Sequence, residues 1–171
     1  SSANHSTLVI DDNSSCKFLK KKNNWILRSG LKITQKNIKF EKNYWRISAA
    51  HDGYLKKYNS MHERNIEFYP EQMKFIGIDK INKRKTNKNY KFEVRFHLEP
   101  NIKLMKTQDN KSILIDLVEE GWKFTCDNYE INIDKGLYFG NKNLYSENQN
   151  IFITGISNNQ IEKIEWELKK I

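Results

Sequence analysis

The chain has 171 residues, enough for one domain with a real core and no need of disulfide staples. Charged residues make up 30% and hydrophobic ones 37%, a polar balance, but an aromatic share of 12% excludes a disordered chain. Lys and Arg outnumber Asp and Glu by 30 to 21, a formal +9 that favours polyanions (nucleic acid, an anionic membrane or an acidic polysaccharide) without choosing among them.

In chain order, Asn4 to Asp12 reads as a short β-rich run closed by Asp11-Asp12-Asn13-Ser14-Ser15, a turn cluster. Cys16 to Leu19 is a second short strand, Lys20 to Asn24 a solvated loop, and Trp25 to Leu27 leads to a break at Gly30. Ile33 to Glu41 carries Ile38 and Phe40 on one face, with Lys36 and Lys42 spoiling the pattern. Tyr44 to His51 is a better strand. Trp45, Ile47, Ala49 and His51 share one face, so an imidazole ends an apolar row where Asp52-Gly53 signals a turn. Such a histidine is a satisfied core or rim residue, a metal ligand or a proton carrier.

Tyr54 to Met61 fits a loop or a short helix. His62 to Tyr69 alternates again, Pro70-Glu71 is a turn, and Gln72 to Ile81 is the next strand, with Gly77 marking a bulge or a close approach. The basic run from Lys80 to Lys91 reads as a hairpin tip in solvent. Tyr90 to Leu98 is the cleanest strand, with Phe92, Val94, Phe96 and Leu98 on one face and Glu93, Arg95 and His97 on the other. Ile102 to Thr107, Ser112 to Leu117, Gly121 to Cys126 and Tyr129 to Ile133 follow between turn residues, then a short run Leu137 to Phe139. Gly140 to Asn150 reads as a polar, Asn-rich loop and Gln149 to Ile156 as a strand. Gln160 to Lys169 fits helix or strand, and its Trp and Ile favour strand. About a dozen short strands at this spacing predict an all-β fold, an antiparallel sandwich or barrel.

Cys126 follows Trp122 and Phe124 at period two and is expected to be a buried thiol; a disulfide to the distant Cys16 has little support. No apolar run approaches a membrane span, and no secretory signal is visible. The chain opens with Ser1 and not Met, so the expectation is a piece of a larger protein. The histidines His5, His51, His62 and His97 lack helical zinc-ligand spacing. A zinc site would have to be assembled from His5, His51 and a carboxylate such as Asp11, Asp12 or Asp52, converging at about 2.0–2.3 Å. There is no phosphate loop and no nucleophile elbow. Lys56-Lys57-Tyr58 and Lys20 to Trp25 mix basic and aromatic residues only weakly, so nucleic acid is an unfavoured partner.

The order of the motifs is more informative than any one of them. Asn4-His5-Ser6-Thr7-Leu8-Val9-Ile10-Asp11 resembles the HNTL-type segment of the heparinase II/III-like family, and Ala50-His51-Asp52-Gly53-Tyr54 resembles its HDGY segment. His62-Glu63-Arg64, Ile76-Gly77-Ile78-Asp79, Arg95-Phe96-His97-Leu98-Glu99-Pro100 and Gly121-Trp122-Lys123-Phe124 resemble further family segments, in order. The resemblance implies the C-terminal antiparallel β-sandwich, residues 1–171 as a single domain, of a polysaccharide lyase that cleaves uronate-containing acidic glycans by β-elimination. It implies an N-terminal α/α toroid of the same protein as partner, and inactivity without it. It implies a cleft role for His5, as proton-transfer residue or metal ligand, and a divalent metal, zinc or calcium, held by His5, His51 and Asp11. His62 and His97 are expected to be structural. A periplasmic or secreted location follows from the substrate class. A non-catalytic glycan-binding or structural sandwich is the alternative, with a basic nucleic-acid-binding module behind it.

Overall fold

The computed structural model describes residues 5–22, 24–141 and 144–171, with fourteen strands and one short helix among them. The elements are β1 (Leu8–Ile10), β2 (Lys17–Lys21), β3 (Asn24–Ser29), β4 (Ile33–Phe40), β5 (Trp45–His51), α1 (Leu55–Tyr58), β6 (Ser60–Tyr69) and β7 (Lys74–Lys83). They continue as β8 (Tyr90–His97), β9 (Lys103–Lys106), β10 (Ser112–Asp116), β11 (Gly121–Thr125), β12 (Glu130–Asn141), β13 (Leu144–Ser157) and β14 (Ile161–Lys170). A four-stranded sheet, β1-β8-β13-β12, packs on an eight-stranded sheet, β4-β5-β6-β7-β14-β11-β10-β9, and β2 with β3 forms a separate hairpin. Every pairing is antiparallel. The all-β sandwich expected from the alternation is the fold.

The core lies where both sheets contribute apolar faces. Leu8, Ile10, Phe92, Val94, Ile131, Ile151 and Ile153 come from the smaller sheet, and Ile81, Ile113, Phe124, Ile164 and Trp166 from the larger. Trp166 stacks on Phe124 with centroids 5.9 Å apart and meets Phe96 edge-on at 4.9 Å. Gly77 sits directly across from Trp166 in the β7–β14 register. A Cβ at Gly77 would lie 2.0 Å from the indole, and no register shift accompanies it, so this glycine serves a close approach and not a bulge. Removing a buried Trp side chain of this kind costs about 3–5 kcal/mol.

The wider sheet overhangs the narrower one, and this corrects part of the sequence reading. The apolar face of β4 and β5 stays open to solvent: Phe40 is 70% exposed, Trp45 41%, Ile38 46% and Ile47 45%. The basic run was expected to be a solvent tip from Lys80 onward, but β7 extends through Lys83. Lys83 keeps the parity of Gly77, Asp79 and Ile81, so it faces inward, 5% exposed, with Nζ donating to the Ser157 carbonyl at 2.8 Å. Lys20 and Lys21 lie in β2 instead of a loop, while Asn23 falls outside the described residues. The expected loop over 140–150 is largely strand, because β12 and β13 pair as one long hairpin from Glu130↔Thr154 to Asn141↔Leu144. Residues 142–143 of that stretch lie outside the described residues.

Candidate functional site

The site is built on the β6–β7 hairpin. Pro70–Gln72 forms a single 3-10 turn, and Met73 closes it in the left-handed region at φ 44°. That connection sets Tyr69 opposite Lys74, and counting back brings Arg64 opposite Asp79 and His62 opposite Ile81. On the next strand His51 lies opposite His62. Strand parity aims the side chains of His51, His62, Arg64 and Asp79 at the inner face, at the polar end of rows that are apolar further along each strand.

Asp79 is fully buried and accepts four hydrogen bonds: His62 Nε2 at 2.6 Å and Arg64 Nε at 2.8 Å on one oxygen, Arg64 Nη2 and Trp166 Nε1 at 3.0 Å each on the other. Burial alone would push this carboxyl up; the Arg64 charge and the His62 and Arg64 hydrogen bonds outweigh it and hold the group at about 2. A carboxylate so saturated is a poor proton acceptor. Its chemistry is to hold its donors in place.

Proton positions in the paired imidazoles follow from the donors around them. The Gly53 backbone N–H can only donate, and it points at His51 Nδ1 at 3.2 Å. Neutral His51 therefore carries its proton on Nε2, which faces His62 Nδ1 at 3.1 Å. His62 then bears its proton on Nε2 and gives it to Asp79. Burial first, then the neighbouring His62, lowers His51 to about 4. Gly53 has a packing reason as well, since a Cβ there would meet the Ser15 carbonyl oxygen at 2.7 Å and His51 Nδ1 at 3.1 Å.

The remaining arm of Arg64 leaves the sheet. Nη1 donates to the Ser6 carbonyl at 2.6 Å, and the guanidinium lies over the Phe96 ring at 5.7 Å. Ser6 also accepts the His97 backbone N–H on its hydroxyl at 2.9 Å, and the Thr7 carbonyl accepts the Arg95 N–H at 3.0 Å. His5, one residue along, is exposed. A hydrogen-bonded chain thus runs from His51 through His62, Asp79 and Arg64 to the carbonyl of Ser6, the residue after His5. Asn4, the first residue of that motif, lies outside the described residues.

Asp11 has a different task. It and Asp12 occupy the left-handed region, φ 45° and 57°, in the turn after β1. The Asp11 carboxylate accepts the Lys91 N–H at 2.9 Å while its own N–H donates to the Lys91 carbonyl at 3.0 Å. It fastens the end of β1 to β8. Zinc or calcium needs several ligands converging on one point. Among the described residues no three His, Cys, Asp or Glu side chains gather in that way, and His5, His51 and Asp11 do not form a ligand set that fits either ion.

Asp79, Arg64 and Trp166 were not singled out as a group in the sequence, although Arg64 and Asp79 stand in the motifs quoted above. The signal was the hairpin: with the turn placed at Pro70-Glu71, the register pairs a buried acid with an arginine. Trp166 could not be found this way, because β14 reaches β7 from far along the chain. No helix among the described residues is long and apolar enough to cross a membrane.

Residues 1–167 match the family described as heparinase II/III-like, C-terminal. Among solved structures, the heparan sulfate lyase HepC from Pedobacter heparinus is 13% identical with a TM-score of 0.74; the match covers 97% of this chain and 24% of that one. The heparinase III product of the BT4657 gene is 12% identical with a TM-score of 0.71, over 98% of this chain and 24% of its own. The chain therefore spans about a quarter of the length of these structures. No curated protein sequence matches it.

Proposed function

Because this chain belongs to the heparinase II/III-like family, as its C-terminal domain, we propose that it is the β-sandwich part of a polysaccharide lyase acting on uronate-containing acidic glycans. The observation that carries this reading is the exposed His5 on a backbone pinned at Ser6 and Thr7, within the family match. β-Elimination breaks the C5–H bond, forms the C4–C5 double bond and expels the 4-linked sugar oxygen, which must be protonated. It needs a neutralised carboxylate, a base and an acid. His5 is the proton-transfer group that this domain contributes. The remaining groups come from an N-terminal toroid of the same protein, and this domain alone does not turn over substrate. A formal +9 charge suits an acidic polymer, whose binding weakens as salt rises. A divalent ion has no part in this reading. The substrate class points to a periplasmic or secreted location.

The test is His5→Ala in the full-length protein, with turnover followed by the absorbance of the unsaturated product. A loss of about 100-fold or more in kcat is expected, the usual share of an acid–base group. A second reading, a glycan-binding or structural sandwich without chemistry, is favoured by the saturation of Asp79, which makes that carboxylate a holder of its donors and a poor proton acceptor. Unchanged turnover in His5→Ala would establish that second reading in place of the first.

A further inference from the structure

We propose that Arg64 is a positioning residue for His5: its guanidinium bridges the buried Asp79 carboxylate and the Ser6 carbonyl, and so fixes the backbone that carries the histidine. The inference rests on the proposed role of His5 and adds to it how that imidazole is held. Its geometry comes from the shape of the side chain. Nε and Nη2 form one edge of the guanidinium and take Asp79 at 2.8 and 3.0 Å. With that edge engaged, Nη1 must point the other way, and there it meets the Ser6 carbonyl at 2.6 Å. Phe96 lies under the guanidinium at 5.7 Å and limits its swing. The side chain is only 18% exposed and its bonds to the buried Asp79 are sheltered, while the bond to the Ser6 carbonyl lies at the exposed end of the guanidinium.

A plainer role is charge balance for Asp79, and the two roles separate at one substitution. Asp79 keeps His62 and Trp166 as donors whatever stands at position 64. A lysine there still supplies a positive charge. It has no planar fork, however, and cannot grip the carboxylate and the carbonyl on opposite sides at once. Arg64→Lys therefore preserves charge balance and removes the bridge. Residues 5–7 are then left with the Thr7 N–H on the His5 carbonyl within the segment, and with the Ser6 hydroxyl on the His97 N–H and the Thr7 carbonyl on the Arg95 N–H as ties to β8.

Two measurements decide the matter. In the 171-residue chain, backbone amide order parameters are compared between wild type and Arg64→Lys. Loss of order confined to residues 5–7, with β6 and β7 unchanged, supports the bridge. Retained order at 5–7 overturns it. In the full-length protein, Arg64→Lys is expected to lower kcat by about 100-fold with KM little changed, as for a misplaced proton-transfer group. If His5→Ala abolishes turnover and Arg64→Lys leaves it intact, the positioning role falls and the role of His5 stands. If His5→Ala itself leaves turnover intact, the functional reading falls, and the amide measurement alone then decides whether Arg64 holds the segment. Should Arg64→Lys fail to fold, Ser6→Ala removes the hydroxyl anchor on the His97 N–H and leaves the Arg64 bridge to the Ser6 carbonyl in place. Order at residues 5–7 and kcat should then stay close to wild type, and loss of both overturns the proposal, because the hydroxyl and not Arg64 would then hold the segment.

Discussion

His51→Gln isolates one step in the acid stability of the sandwich. In the unfolded chain this imidazole takes its proton near the ordinary 6.5, whereas in the folded chain it does so only at about 4. As pH falls through that window the unfolded state binds the proton first, so stability is intact above 6.5 and drains away toward 4. While only the unfolded chain holds the proton, each pH unit removes about 1.4 kcal/mol. Across the window that is about 3 kcal/mol, and screening at a half-buried ring reduces it to about 2 kcal/mol. Glutamine keeps a donor and an acceptor near Gly53 N–H and His62 Nδ1 but cannot titrate. The assay is urea unfolding, followed by fluorescence of the four tryptophans, at steps from pH 7.5 to 4. Wild type should lose about 2 kcal/mol more than His51→Gln over that range, a difference of about 4–8 °C in Tm for a domain of this size. Parallel curves for the two proteins would refute the claim that His51 is held neutral between Gly53, His62 and the Arg64 charge.

Asp79→Asn leaves Arg64 buried without its counter-charge and should lose about 3–5 kcal/mol in urea unfolding at pH 7. Because the folded Asp79 is depressed to about 2, its contribution is present above about pH 4 and is lost as pH falls toward 2; in a variant that folds, that part of the acid transition should vanish. Gly77→Ala drives a Cβ into the Trp166 ring and should cost about 1–3 kcal/mol. Trp166→Phe in the same chain should recover part of that loss, and strict additivity in the double-mutant cycle would show that the two positions do not touch. Tyr54→Phe removes the bond from the Tyr54 hydroxyl to the Leu8 carbonyl at 2.7 Å and should cost about 1 kcal/mol, read from the shift in urea midpoint at constant slope.

Alternation in the sequence located most strands, including β8 and the ambiguous last one, because a half-buried strand writes a period of two whatever it packs against. What alternation cannot carry is the width of the opposing sheet. Phe40, Trp45, Ile38 and Ile47 have the pattern of a core face, yet they lie on the overhang of the larger sheet. The polar arm of β12 and β13 failed in the opposite sense: Asn148 and Asn150 looked like loop residues, but the hairpin buries them, with Asn148 Nδ2 on the Leu98 carbonyl at 2.6 Å and on Asn150 Oδ1 at 3.1 Å, while Asn148 Oδ1 has no partner among the described residues. At the site, His51 was visible as an imidazole ending an apolar row, and His5 through the resemblance of its segment to the family's. The acid that organises them was hidden inside Gln72 to Ile81, an apolar-looking run where one aspartate passes for a turn residue.

A buried ion pair is weak evidence for stability, since well-packed apolar residues of the same volume often do as well. The group around Asp79 is better understood through register. Its ligands come from β6 and β14, and its own strand lies between them. Slipping β7 by one residue would turn Asp79 to the outer face, strand the Arg64 guanidinium and the Trp166 N–H in the core, and put a side chain where Gly77 now admits the indole. Apolar residues in these places would tolerate such a slip far better, because one branched side chain packs much like the next. The polar group thus locks three strands into one register. Since Arg64 belongs to it, the same lock sets where the chain before β1 crosses the sheet, and with it where His5 stands.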